Sequence, residues 1–245
     1  MPRAHRYFLP GHVWHITHRC HQKAFLLHKR DDRLRWLFWL AEARERFGLC
    51  VLDYIVTCNH VHMLVRDRGL NEIPRSIALV AGRTGWEFNR RNERVGAFWQ
   101  DRYHATAIDS ETHLFRCIRY IDMNMVRAGV VSHPVEWRES GYVEIQEGLV
   151  ADRPIVDIPA LLELTRCMNI DLLRKALSAN VSGVSAKQGM QRHPAWTEAL
   201  AVGREEYLES FKSELGHGAR NRSVEMSSPG FSMLQDGDLG TYLEG

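Results

Sequence analysis

The chain has 245 residues, 44% of them hydrophobic and 25% charged, which is enough for one substantial core and ordinary for a globular protein. No apolar run of about 18 residues exists to span a membrane, no apolar core in residues 1–10 makes a secretory signal, and five scattered cysteines without a CxxC exclude a disulfide framework or cysteine zinc knuckle and suit a cytoplasmic location. The net charge of +2 hides an asymmetry: residues 1–140 carry 22 Lys/Arg, 20 of them arginine, against 15 Asp/Glu, whereas residues 141–245 carry 10 against 15.

Gly11 to Arg19 alternates as a strand, with Val13, His15 and Thr17 on one face and Trp14, Ile16 and His18 on the other. Asp31 and Asp32 open an amphipathic helix through Phe47, with Leu34, Leu37, Phe38, Leu40 and Ala41 as its stripe and Gly48 as its stop. Val51 to Val56 and His60 to Arg66 are two more strands, joined by a tight link at Thr57-Cys58-Asn59. Asn71 is the expected cap of a second helix running to about Arg91, with Pro74 in its first turn and Ile73, Ile77, Val80 and Trp86 as its apolar positions. Tyr103 to Ile108 is a fourth strand, and Ser110 with Glu111 starts a third helix through about Ala128, ended by Gly129.

This order, βαββαβ and then a helix, predicts an α+β fold: a ferredoxin-like antiparallel sheet with two helices on one face. The other face must be covered or used, and the third helix is its natural cover. Residues 1–148 form this unit. Residues 149–215 read as a small helical extension, with helices at Ile158 to Leu164, Ile170 to Leu177 and Trp196 to Leu215, and residues 216–245 read as a disordered tail.

Within the third strand His60 and His62 share a face, and two imidazoles on a stiff backbone are half of a metal site. Tyr120 and Asn124, four apart on the third helix, share another, and the topology brings the two faces together. Two histidines and an asparagine amide leave coordination positions open, as a catalytic metal requires. Around them lie groups suited to DNA. Trp99, Gln100 and Arg102 interleave stacking and phosphate-binding side chains, Arg116, Arg119 and Arg127 flank the tyrosine, Arg19 ends the first strand, and Arg3 and Arg6 charge the N-terminus. DNA is the partner these groups suit.

Three segments, Asn59-His60-Val61-His62-Met63-Leu64, Phe98-Trp99-Gln100-Asp101-Arg102-Tyr103 and Arg119 to Val131, closely resemble the Y1 HUH transposases. The branch most resembled is the REP-associated tyrosine transposases, relatives of the IS200/IS605 transposases; Pro2 to Thr17 and Glu42 to Gly48 fit that branch too, so the resemblance covers about residues 1–145. It implies a nucleophile at Tyr120 and a divalent metal, Mg²⁺ or Mn²⁺, on His60, His62 and Asn124. It also implies cleavage and rejoining of single-stranded DNA at REP-like hairpins through a 5′-phosphotyrosine, by a monomer acting in cis, with a homodimer as the alternative. Met125 departs from the proline usual after the asparagine and removes no catalytic group. The rival readings are a replication-initiator or relaxase-like HUH nickase, a purely structural metal site, and a domesticated, non-catalytic single-strand-binding protein.

Overall fold

Period-two alternation builds the first four strands: β1 (Val13–Arg19), β2 (Cys50–Val56), β3 (His60–Arg66) and β4 (His104–Ile108). In this computed structural model, which describes residues 8–109, 112–148, 150–182, 193–219, 222–228 and 231–236, they lie in the order β2-β3-β1-β4 with every neighbouring pair antiparallel. This is the ferredoxin-like arrangement. Helices α1 (Arg30–Phe47) and α2 (Glu72–Arg91) pack together on one sheet face. The other face is covered by α3 (Thr112–Asp122) and the single turn α4 (Asn124–Arg127).

Local details depart from the sequence reading for identifiable reasons. The buried stripe of α1 is Arg33, Trp36, Leu37, Leu40 and Ala41, with Leu34 and Phe38 only half-buried. Arg33 can be buried because its Nε donates to Glu139 at 2.8 Å and its Nη1 to the carbonyls of Leu27 and His28 at 3.1 and 2.6 Å. Asn71 does not cap α2 with its side chain. The Glu72 carboxylate instead folds back on the loop before the helix, accepting the backbone N–H groups of Arg68 and Leu70 at 2.5 and 2.9 Å. Trp86 lies on the exposed side of α2, 53% accessible, rather than in its apolar stripe. The third helix does not run unbroken to Ala128: Met123 turns to ψ 5°, separating Tyr120 at the end of α3 from Asn124 at the start of α4. Its expected start at Ser110 and Glu111 lies outside the described residues.

The C-terminal part differs most. After α5 (Gly141–Glu147), α6 (Ile158–Thr165) and α7 (Ile170–Ser182), the expected helix from Trp196 to Leu215 is three elements. They are a turn α8 (Ala195–Glu198), a strand β5 (Ala201–Gly203) and helix α9 (Glu205–Leu215). Residues 216–245 are not a structureless tail over their described part. There β6 (Arg222–Ser228) and β7 (Phe231–Asp236) form an antiparallel pair. β5 pairs in parallel with β4 and antiparallel with β7, so the sheet continues as β2-β3-β1-β4-β5-β7-β6. The extension is therefore mixed α and β and shares the main sheet. Its inward side chains Leu208, Phe211, Phe231 and Leu234 join the same core.

Candidate active site

The register of β1, β3 and β4 assembles one polar face. Thr17 lies opposite both His62 and His104, Arg19 opposite His60, and His15 opposite Thr106. In an antiparallel sheet such partners project to the same side. The link before β3 is tied by Thr57, whose Oγ1 donates to the His60 carbonyl at 2.7 Å and accepts the His60 N–H at 3.1 Å. The Asn59 amide nitrogen donates to the Lys23 carbonyl at 3.1 Å, which turns its oxygen to His60 Nδ1 at 2.7 Å. Nδ1 of His60 is therefore the donor, and its Nε2 carries the lone pair.

His62 is buried deeper, 3% accessible. The Asn124 amide donates to its Nε2 at 3.0 Å, and its Nδ1 lies 2.9 Å from His15 Nε2. His15 Nδ1 in turn donates to the carbonyl of Trp196 at 2.8 Å. Burial holds the His62 pKa well below the usual imidazole value, with His60 and His15 adding to the effect. Burial likewise lowers His15 to about 3. Both rings are neutral near pH 7, the form that can ligate a metal.

Tyr120 is buried at the end of α3, its ring centroid 5.8 Å from His62, 5.9 Å from His15 and 6.0 Å from Trp196. Arg127, one turn beyond the break, lies over this ring with its guanidinium carbon 4.2 Å from the centroid. Its Nη2 also donates to the Tyr120 carbonyl at 2.7 Å. The break at Met123 thus places a cation on the aromatic face while Asn124 reaches His62.

Arg19, His60, His62, Gln100, Arg102 and His104 line a cavity of about 260 Å³ in front of these groups. Gln100 and Arg102 reach it because residues 98–100 run beside the end of β1: the Phe98 carbonyl accepts the His21 N–H at 2.8 Å, and the Gln100 N–H donates to the Arg19 carbonyl at 2.9 Å. Trp99 does not line the cavity but packs against His18, which does. It stacks on His18 at 4.1 Å and donates its indole N–H to the Ala81 carbonyl at 3.0 Å. Arg119 is half-buried on α3, and Arg116 approaches Phe231 of β7 at 6.0 Å. Neither lines the cavity. Arg3 and Arg6 lie outside the described residues.

The donor set fits a divalent ion. The two imidazoles, His60 and His62, have Nδ1 committed to protein partners, the arrangement that leaves Nε2 for a metal. Among the described residues no three His, Cys, Asp or Glu side chains are grouped to hold one; the Asn124 amide, which here turns its NH₂ to His62 Nε2, would complete the set through its oxygen once that nitrogen takes the ion. Sequence reasoning did not single out His15, His104 or Trp196. For His15 a signal existed, since alternation along β1 puts it on the face of Thr17. The contribution of Trp196 through its backbone carbonyl leaves no trace in residue type.

Residues 10–124 match the family profile described as IS200-like transposase. The fold is similar to the structure of a REP-associated tyrosine transposase bound to a REP hairpin, at 18% identity and a TM-score of 0.50, over 64% of this chain and 94% of that one. A crystal structure of a protein assigned as a transposase from Deinococcus radiodurans R1 aligns at 12% identity and a TM-score of 0.35, over 52% of this chain and 97% of that one. No curated protein sequence matches the chain.

Proposed function

We propose that the chain, whose residues 10–124 match the IS200-like transposases, is a transposase of that kind and cleaves and rejoins single-stranded DNA with Tyr120 as the nucleophile. One observation carries this reading: within a single chain, Tyr120 and Asn124 converge on the same imidazole, His62, beside a cavity lined by arginines.

The steps follow from the residues. Arg19 and Arg102 bind the phosphates of the entering strand in the cavity, and Gln100 adds a neutral polar contact. The Tyr120 oxygen attacks the scissile phosphorus. The new P–O bond forms as the bond to the 3′-oxygen breaks, the phenolic proton goes to solvent, and the departing 3′-oxygen takes up a proton to leave as a hydroxyl. Arg127, held over the ring, stabilises the phenolate form of the nucleophile by charge. A divalent ion, Mg²⁺ or Mn²⁺, on His60, His62 and Asn124 would polarise the phosphate oxygens and offset charge in the transition state. The 5′-phosphotyrosine retains the energy of the phosphodiester, so a 3′-hydroxyl reverses the step and joins strands without ATP.

The partner is DNA in hairpin form with a single-stranded foot, as supported by the similar transposase that is bound to a REP hairpin. Arg3, Arg6, Arg116 and Arg119 add positive charge for that partner. All four groups of the centre come together within one chain, which supports a site acting in cis. Residues 1–148 are the catalytic unit, and the described C-terminal segment is its structural extension. Labelled hairpin oligonucleotides incubated with Mg²⁺ should give a covalent protein–DNA adduct on a denaturing gel. The adduct should be absent with EDTA.

A further inference from the structure

We infer that His15 is a positioning residue: held by the Trp196 carbonyl, it fixes the proton of His62 on Nδ1 and leaves the lone pair on Nε2. The inference rests on the reading of His62 as a metal ligand and adds the device that aims it.

The polarity of the whole chain of contacts follows from one atom. A backbone carbonyl only accepts, so His15 Nδ1, 2.8 Å from the Trp196 oxygen, must be the donor. A fully buried imidazole away from water holds a single proton, so His15 Nε2 must then accept. Its partner 2.9 Å away, His62 Nδ1, must donate. His62 Nε2 is left with the lone pair, and the Asn124 group 3.0 Å from it must be the amide NH₂. The two imidazoles stack nearly parallel, 5.0 Å apart at 15°, so neither can turn without displacing the other.

The carbonyl that starts this chain is itself fixed. Trp196 is buried, Thr106 Oγ1 donates to the Ala199 carbonyl at 2.8 Å, and His104 Nε2 donates to the same oxygen at 3.0 Å. The next residue is stitched between two strands: the Leu200 N–H donates to the Leu234 carbonyl at 2.8 Å, and the Leu200 carbonyl accepts the Ala107 N–H at 2.8 Å. The C-terminal segment therefore reaches the centre through a backbone oxygen and sets which nitrogen of His62 faces outward. Without an acceptor at Nδ1, the tautomer with its proton on Nε2 becomes competitive, and that proton occupies the position a metal needs.

The test uses the full-length, metal-free protein labelled with ¹⁵N-histidine, with tautomers read from long-range ¹H–¹⁵N spectra, and Mn²⁺ affinity measured by calorimetry. In the native protein both His15 and His62 should carry the proton on Nδ1. His15→Gln keeps an acceptor and a donor and should preserve the His62 tautomer and near-native Mn²⁺ affinity. His15→Leu should shift His62 toward the Nε2–H form and weaken Mn²⁺ binding by roughly 10–100-fold. A native His62 protonated on Nε2 overturns the inference without any variant. So does a folded His15→Leu protein with unchanged tautomer and affinity. Native protein that shows the Nδ1–H chain but binds no Mn²⁺ overturns the metal reading beneath the inference, a result distinct from the wrong tautomer.

Discussion

Arg127 holds Tyr120 twice, with its guanidinium 4.2 Å from the centre of the phenol ring and a 2.7 Å hydrogen bond to the tyrosine carbonyl. A desolvated cation on an aromatic face contributes up to about 2 kcal/mol, or roughly 30-fold in rate if it acts on the nucleophile. Arg127→Ala should therefore slow single-turnover cleavage by about that factor. Arg127→Lys should recover only part of it, because the planar stack and the carbonyl contact are lost together. Rates measured at saturating protein separate this effect from DNA affinity.

Arg19 and Arg102 act at a different level. They line the cavity, and if they hold phosphate as proposed, each alanine variant should weaken hairpin binding. Each should also lower the slope of log affinity against log salt by about 1. An unchanged slope removes that arginine from the DNA path.

Glu139 is a structural counterpart. Its carboxylate, 2% exposed, accepts from Arg33 Nε at 2.8 Å and Arg30 Nε at 2.9 Å. Glu139→Ala leaves the buried Arg33 guanidinium without its counter-charge, which should cost about 3–5 kcal/mol in urea unfolding. Arg30→Ala removes a 60% exposed partner and should cost under about 1 kcal/mol.

Asp53 on β2 and Asp122 at the end of α3 are buried between that helix and the sheet, and burial pushes both carboxyls well above the usual range, with the charge of Asp122 adding to the effect at Asp53. The folded state therefore prefers them protonated. The stability they contribute is complete below the unfolded pKa near 4 and declines as pH rises from there toward their raised folded values, by up to ~1.4 kcal/mol per pH unit for each carboxyl. Asp122→Asn needs no proton. Its stability relative to the native protein should rise between pH 4 and 7, as followed by chemical denaturation at each pH. A difference that is flat across that range contradicts the assignment.

The ferredoxin-like half was legible because its strands alternate cleanly and punctuating residues mark its helices, as Gly48 does where α1 stops. The phase of α1 was not, since Arg33 is buried through an ion pair with Glu139, 106 residues away. Tyr120 and Asn124 were found as an i, i+4 pair, although the backbone breaks between them at Met123. The C-terminal strands escaped because β5 is three residues long and β6 is largely polar. Their pairing depends on the edge of β4, which no local pattern reveals. The Pro229-Gly230 dipeptide between β6 and β7 was the one available turn signal. His15 was visible as a strand residue, but its task depends on a backbone oxygen 181 residues away.

The central claim is that Tyr120 is the nucleophile of a DNA-joining centre. The most direct measurement is mass spectrometry of the peptide that retains DNA after reaction with a 5′- and 3′-labelled hairpin in Mg²⁺ or Mn²⁺. A phosphotyrosine at Tyr120 bearing the 5′ side of the cut, with a free 3′-hydroxyl on the other fragment and no adduct from Tyr120→Phe, is the predicted result. Undiminished cleavage by Tyr120→Phe, or an adduct on another residue, would contradict it.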